Sequence, residues 1–207
     1  MDKILFNDEF GLTDAVIDGR KTMTRREVNE VLIERCENKY GYESFDHILY
    51  SNTESREISF EEFKESYLLG LSRFKKDSAV AIAQCYNNVC SYLARMGKTA
   101  EIDFIKANVR SDSLGWTNKL FVSSLYMPKR IRITDIRLEH LQDISEEDCL
   151  KEGCYEDNGQ FFYLGCKKTF YTAREAFSDL INKVSNNRNF WKSNPLVYVY
   201  DFKLEDN

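Results

Sequence analysis

"KRIRITDIRLEHL", residues 129–141, alternates apolar and polar side chains, so that Ile131 and Ile133 share one face of an extended chain. The alternation slips at Asp135, and Ile136 and Leu138 resume it one residue late, as a β-bulge would make them. "NPLVYVYDFKL" (194–204) reads as a closing strand, with Val197, Val199 and Asp201 alternating against Leu196, Tyr198, Tyr200 and Phe202. "KILF" (3–6) reads as a short first strand, and "KTMTRR" (21–26) is compatible with a second. "SAVAIAQCY" (78–86) sets Val80, Ile82 and Gln84 against small residues, as in a strand packed closely on one side, and "QFFYLG" (160–165) is a further strand. Strands from both ends of the chain with helices between them predict an α+β fold built on a mixed, mainly antiparallel sheet.

The helices have their own punctuation. In "LTDAVIDG" (12–19), Thr13 can cap a helical turn, Ala15, Val16 and Ile17 supply apolar surface, and Gly19 can end it. From Glu27 to about Lys76 the texture changes. "EVNEVLIERCENKYG" places Val28, Val31, Leu32 and Arg35 at helical spacing before Gly41. "SFEEFKESYLLGLSRF" opens with a capping box, Ser59 and Glu62, and carries a stripe of Phe60, Phe63, Tyr67, Leu68 and Leu71. Residues 27–76 are therefore expected to form a helical insertion, polar enough to sit outside the main core. A second embellishment is expected at about 88–118, where the helix "NNVCSYLARMG" precedes a loop-rich stretch containing Trp116. "SEEDCLKEG" (145–153) is a short helix with Ser145 as N-cap, three acids in its first turn and Gly153 past its end. "AREAFSDLINKV" (173–184) is a longer one, with Ala176, Phe177, Leu180, Ile181 and Val184 inward.

The 207 residues, 43% apolar, suit a single domain over 1–207. With 29 basic and 34 acidic residues the net charge is −5, which argues against extended wrapping of a nucleic-acid duplex and leaves room only for a local patch or pocket. No apolar run approaches a membrane span and "MDKILFNDEF" lacks a signal-peptide core, so a cytoplasmic protein without a membrane partner is expected. The six cysteines (Cys36, Cys85, Cys90, Cys149, Cys154 and Cys166) form no C-x-x-C pair, and the two histidines, His47 and His140, lie far from them in sequence. Reduced thiols and no metal are expected.

"DGRKTMTRR" (18–26) packs four cations and two threonines behind one glycine. One reading is a charged hairpin edge, where Lys and Arg discourage aggregation. The other is a reactive pocket, because a lysine that is partly desolvated and crowded by arginines gives up its proton more readily and can serve as base toward a threonine hydroxyl. On a regular strand Lys21 and Thr24 face opposite sides, so they converge only if the chain turns near Gly19 or bends between them. Glu152 lies at the C-terminal end of its helix, where the dipole disfavours a carboxylate. Phe161, Phe162, Tyr163, Phe170, Tyr171 and Trp191 are interspersed with Lys167, Lys168 and Lys192, an arrangement that serves either base stacking or core packing. With two histidines and no G-x-S-x-G, nothing points to a Ser-His-Asp hydrolase.

Taken in order, "GRKTMTRR" after "AVID", "MPKRIRITDIRLEHLQDISEEDCLKEG", "AREAFSDLIN" and "NPLVYVYDFKL" resemble the ASCH domain family, above all its phage-type and Bacteroidetes-type members. The resemblance covers residues 3–26, roughly 78–86 and 119–204. It implies a PUA-like β-barrel with flanking helices. Small bacterial ASCH proteins include amidohydrolases that remove the acetyl group from acetylcytidine, using a lysine, a threonine three residues on and a glutamate near the end of a later helix. By motif position the resemblance implies Lys21 as activator or oxyanion partner, Thr24 as nucleophile and Glu152 as proton carrier, with no cofactor. Arg20, Arg25, Arg26, Lys129 and Arg130 would hold substrate or phosphate. The expected ligand is a modified pyrimidine nucleoside, hydrolysed at its acyl amide. The alternatives are a non-catalytic module binding single-stranded RNA or a nucleotide, and a protein-interaction domain with a vestigial pocket.

Overall fold

The computed structural model describes residues 1–40 and 59–205; Gly41 and His47 lie outside the described residues. The chain forms an α+β fold. Its elements include β1 (Lys3–Ile4), α1 (Leu12–Ile17), β2 (Met23–Glu27), α2 (Glu30–Tyr40), α3 (Phe60–Leu71) and β3 (Ala79–Ile82). After them come α4 (Tyr86–Arg95), α5 (Thr99–Asn108), β4 (Arg130–His140), α6 (Glu146–Lys151), β5 (Tyr155–Asp157) and β6 (Gln160–Phe162). The chain closes with α7 (Ala173–Val184), α8 (Phe190–Ser193) and β7 (Leu196–Glu205).

Five strands form one mixed sheet in the order β1-β3-β4-β7-β2. Only β1 and β3 run parallel; the other pairs are antiparallel. The expected strand 160–165 instead pairs with β5 in a separate two-stranded hairpin. The strands β4 and β7 are the spine. Their register shifts between Ile133 and Asp135, leaving Thr134 as the extra residue, so the bulge expected from the slipped alternation is present. β1 and β2 lie at opposite ends of the ladder and are not paired with each other. They are joined by a side chain instead: Arg26 Nη2, on β2, donates to the carbonyl of Leu5, just past β1, at 2.6 Å.

β3 separates two cores. Val80 and Ile82 join the principal one, with Ile131, Ile133, Tyr200 and Phe177, while Ala81 and Ala83 face a second, built with Tyr86, Val89, Leu93 and Ile105. The small residues of the strand are thus where α4 and α5 pack. α5 was not expected. Its first residue has no side-chain cap and its apolar positions are thin, with Ile105 buried but Phe104 exposed.

Three further expectations are corrected. Thr13 does not cap α1: Gly11, at φ +60°, is the N-cap, and buried Thr13 donates to the Phe6 carbonyl and to Asp8. The stretch 27–76 does not sit outside the main core, because Val28, Leu68 and Phe74 are buried in it and Leu32 and Tyr67 pack against it. The apolar spacing read for α2 and the stripe read for α3 each lose one member, Val31 and Leu71 being exposed, while Cys36 is fully buried. Ser59 and Ser145 do cap α3 and α6, accepting from the amides of Glu62 and Asp148.

Candidate functional site

The loop between α1 and β2 decides where Lys21 points. Gly19 turns the chain at φ +73°, a left-handed conformation that glycine adopts without steric cost. The next residues are pinned on both sides: the Lys21 amide donates to the Ala15 carbonyl at 2.8 Å, and the Thr22 amide to the Lys151 carbonyl at 3.0 Å. β2 begins only at Met23. Lys21 therefore stands outside the strand alternation, which is how it comes to line the same cavity as Thr24.

Glu152 comes from the far side of the chain. It is the C-cap of α6, its amide donating to the Asp148 carbonyl. Gly153 then turns the backbone at φ +110°. The carboxylate that the helix dipole disfavours is met by cations instead. Lys21 Nζ donates to Glu152 Oε2 at 2.6 Å and to the Glu152 carbonyl at 2.7 Å, and Arg25 Nη1 donates to Oε1 at 3.2 Å.

This pair is the buried end of a larger network that grows more exposed away from it. Arg25 also reaches Glu139 Oε2 at 2.9 Å and Asp148 Oδ2 at 3.5 Å. Arg137 reaches Glu139 Oε1 at 2.5 Å, Asp148 Oδ2 at 3.3 Å, and Asp201. Three cations, Lys21, Arg25 and Arg137, interleave with four carboxylates, Glu139, Asp148, Glu152 and Asp201. The Lys21 and Arg25 side chains are only 2% and 1% exposed. Charges so deeply buried persist only when paired. Burial holds the Lys21 ammonium below its ordinary range, with the attraction of Glu152 opposing that shift. Burial also raises the neighbouring thiols, Cys149 to about 12 and Cys154 further, so both stay protonated and unreactive.

Lys21, Thr24 and Glu152 line one cavity with Leu5, Arg26 and Ile181. Its volume is about 50 Å³, room for one or two water molecules. Thr24 is buried, yet its hydroxyl makes no hydrogen bond to any described residue. The arrangement has the parts of a nucleophilic site: a free hydroxyl, a desolvated amine and a carboxylate.

The five remaining candidate cations have different fates. Arg25 lines the cavity, but its guanidinium is engaged by three carboxylates. Arg26 lines it too, bonded to Leu5, and no carboxylate among the described residues pairs with it; its Nε is buried without a partner. Arg20 is exposed and pairs with Asp18, Lys129 lies over the Tyr92 ring at 5.6 Å, and Arg130 sits opposite Glu205 on β7; none of these three lines the cavity. Of the aromatic set, Tyr163 is in the core and Phe161, Phe170 and Trp191 pack against it, whereas Tyr171 is exposed. His140 bonds to the Asn194 carbonyl through its ring. Arg137, Glu139 and Asp201 were not anticipated. The available signal was charge on strand residues whose neighbours along the chain are apolar.

Among the described residues no cluster of three or more His, Cys, Asp or Glu could hold a metal ion, and no helix is long and apolar enough to cross a membrane. No family model, no curated protein and no solved structure matches the chain.

Proposed function

We propose that the protein is an ASCH-type amidohydrolase, active in the cytoplasm, that removes a small acyl group from a modified pyrimidine nucleoside. The observation that carries this reading is the free hydroxyl of buried Thr24 in the cavity that also holds the Lys21–Glu152 pair. In the reactive form the pair shares one proton as amine and carboxylic acid. Thr24 attacks the acyl carbon and passes its proton to the Lys21 amine. Glu152 protonates the departing amine nitrogen, leaving an acyl-threonine ester. Water then attacks the ester, giving its proton to the Glu152 carboxylate, while Lys21 returns a proton to Thr24. The sum is amide plus water to acid plus amine, with the enzyme restored. The same reading takes the five-stranded sheet as a PUA-like barrel whose two edges approach through the Arg26–Leu5 contact.

Incubation with N4-acetylcytidine tests it, with cytidine release as the readout. Wild-type protein turns over; Thr24→Val, Lys21→Ala and Glu152→Ala do not. Equal turnover in all four proteins removes the trio from the chemistry. One observation favours a second reading, binding of a nucleotide or single-stranded RNA without hydrolysis: Arg26 is a cation with no carboxylate partner among the described residues. In that case ligand binding weakens as salt rises and fails in Arg26→Gln, with no product formed.

A further inference from the structure

One side of α5 faces away from the protein. Ile105 is buried, with Ile102 and Val109 half-buried on the same side, while Ala100, Phe104 and Ala107 follow at helical spacing on the opposite side, all exposed. Phe104, the largest apolar side chain of the helix, is 55% exposed, and Tyr126 lies against its ring at 6.0 Å. Next to it a groove of about 220 Å³ lies between α5 and residues 125–128, floored by buried Leu93, Ile105 and Met127 and edged by exposed Leu125. We infer that this face is an interface with a second copy of the chain, in which the two α5 helices pack antiparallel about a two-fold axis. The inference does not rest on the hydrolase reading, since no residue of this face lines the cavity around Thr24.

The charges of the helix choose the occupant. A two-fold axis between antiparallel helices sets each flank against the same flank of the copy, running the other way. Asp103 and Lys106 stand on one flank of the Ala100–Ala107 line, and Glu101, Phe104 and Asn108 on the other. In the register that sets Asp103 level with Lys106 of the copy, the axis generates that ion pair twice. The same register sets Glu101 level with Asn108 of the copy, also twice, and leaves the two Phe104 rings one residue apart at the axis. A single offset thus satisfies both flanks.

The groups it needs are free. Among the described residues no ion pair or side-chain hydrogen bond engages Asp103, Lys106 or Glu101. Asn108 gives one amide hydrogen to the Phe104 carbonyl at 2.8 Å, which leaves the other for a carboxylate. A partner of uniform charge meets repulsion, from Asp103 and Glu101 if it is acidic and from Lys106 if it is basic. An antiparallel copy presents each with its complement.

Size sets the strength. The ten residues of α5 make about 15 Å of helix. One such helix on another falls short of the roughly 1,200 Å² that standard interfaces bury. Leu125 adds apolar surface on the Glu101 flank, where it shares the groove with Phe104. The dimer is therefore weak, and its population rises with protein concentration.

Sedimentation equilibrium at low salt, from micromolar to near-millimolar protein, tests the interface in wild type, Phe104→Ser, Asp103→Lys and Lys106→Asp. All three positions are exposed, and circular dichroism checks that each variant keeps the fold. Wild type is expected to dimerise. Each variant alone should associate at least about tenfold more weakly, because serine removes the ring at the axis and the charge changes set like charges level. An equimolar mixture of Asp103→Lys and Lys106→Asp should recover the wild-type association, since each then offers what the other lacks. A wild type that stays monomeric throughout overturns the interface. So does dimerisation that Phe104→Ser leaves unchanged. Charge variants that lose dimerisation and do not recover it on mixing overturn the antiparallel pairing, and the proposal with it.

Discussion

Lys21 and Glu152, separated by 131 residues of chain, meet through two contacts of the same ammonium, one with the carboxylate at 2.6 Å and one with the main-chain carbonyl at 2.7 Å. The carbonyl contact fixes the ammonium independently of the carboxylate. It ties the loop before β2 to the end of α6, so the chemistry and the packing depend on the same residues.

The two partners should not be equivalent. Among the described residues, Glu152→Ala removes the only carboxylate on Lys21 and one of three on Arg25, whereas Lys21→Met leaves Glu152 its bond from Arg25. Breaking a buried pair from one side costs about 3–5 kcal/mol. Urea unfolding should place Glu152→Ala in that range and Lys21→Met below it, with the double variant less destabilised than the two losses summed. A larger loss for Lys21→Met would mean that the amine, held also by the Glu152 carbonyl, and not the carboxylate, is the better supported group.

Thr24 offers the cleaner separation of folding from function. Its hydroxyl bonds to no described residue, so Thr24→Val should shift stability by no more than about 1 kcal/mol. Turnover of N4-acetylcytidine should fall at least about a thousandfold, as when a nucleophile is removed. Lys21→Arg is the companion variant: it keeps the positive charge but cannot act as a base, and it should be folded and inactive. Retained activity in Lys21→Arg would reduce Lys21 to an electrostatic role.

Gly153 is the hinge that aims Glu152. Its φ of +110° is rarely adopted by side-chain-bearing residues, and a Cβ there would lie 2.8 Å from Leu12 Cδ2 and 3.7 Å from Lys21 Cδ. Gly153→Ala should destabilise by about 1–3 kcal/mol. It should also lower kcat, since the clash falls beside the lysine stem. A thermal shift without any change in kcat would uncouple the turn from the site. Gly19→Ala, with nothing near its Cβ, should show only the conformational part.

Acid stability should carry the mark of Asp179. Burial alone would raise its carboxyl, but the Tyr163 hydroxyl and Lys183 ammonium donate to it and hold it below its ordinary 3.8. A carboxyl lowered by folding contributes stability that is fully present above the unfolded value and is lost as pH falls through the folded one. Urea midpoints of wild type should therefore decline below about pH 3.8 more steeply than those of Asp179→Asn, while Asp179→Asn is the less stable near neutrality. Parallel curves would show that this Tyr–Asp–Lys triad does not titrate on unfolding.

The strands were legible because their side chains keep one strict rhythm: Ile131 and Ile133 on β4, Val80 and Ile82 on β3, and the bulge all followed from it. The convergence of Lys21, Thr24 and Glu152 was expected from a resemblance and a misplaced carboxylate, and the turn at Gly19 is the geometric condition it required. What the pattern missed was set by distant packing. α5 has a thin apolar face because the second core needs little more from it than Ile105. Thr13 sits inside α1 because the carbonyl of Phe6 and the carboxylate of Asp8 claim its hydroxyl. Arg25 reads as a free cation until Glu139 and Asp148, from β4 and α6, close around it.

Thr134 is the residue that breaks the alternation of β4, and the bulge absorbs it. With one residue to spare there, Ile136 and Leu138 stand opposite Tyr200 and Tyr198, and Arg137 and Glu139 stand opposite Val199 and Val197, beside the charges they neutralise. Excising that threonine would leave every later pair of the ladder in place, with Ile136 and Leu138 still on the tyrosine side and Arg137 and Glu139 still on the other; what the extra residue supplies is the local bend and added twist of the longest strand, not the sorting of its side chains.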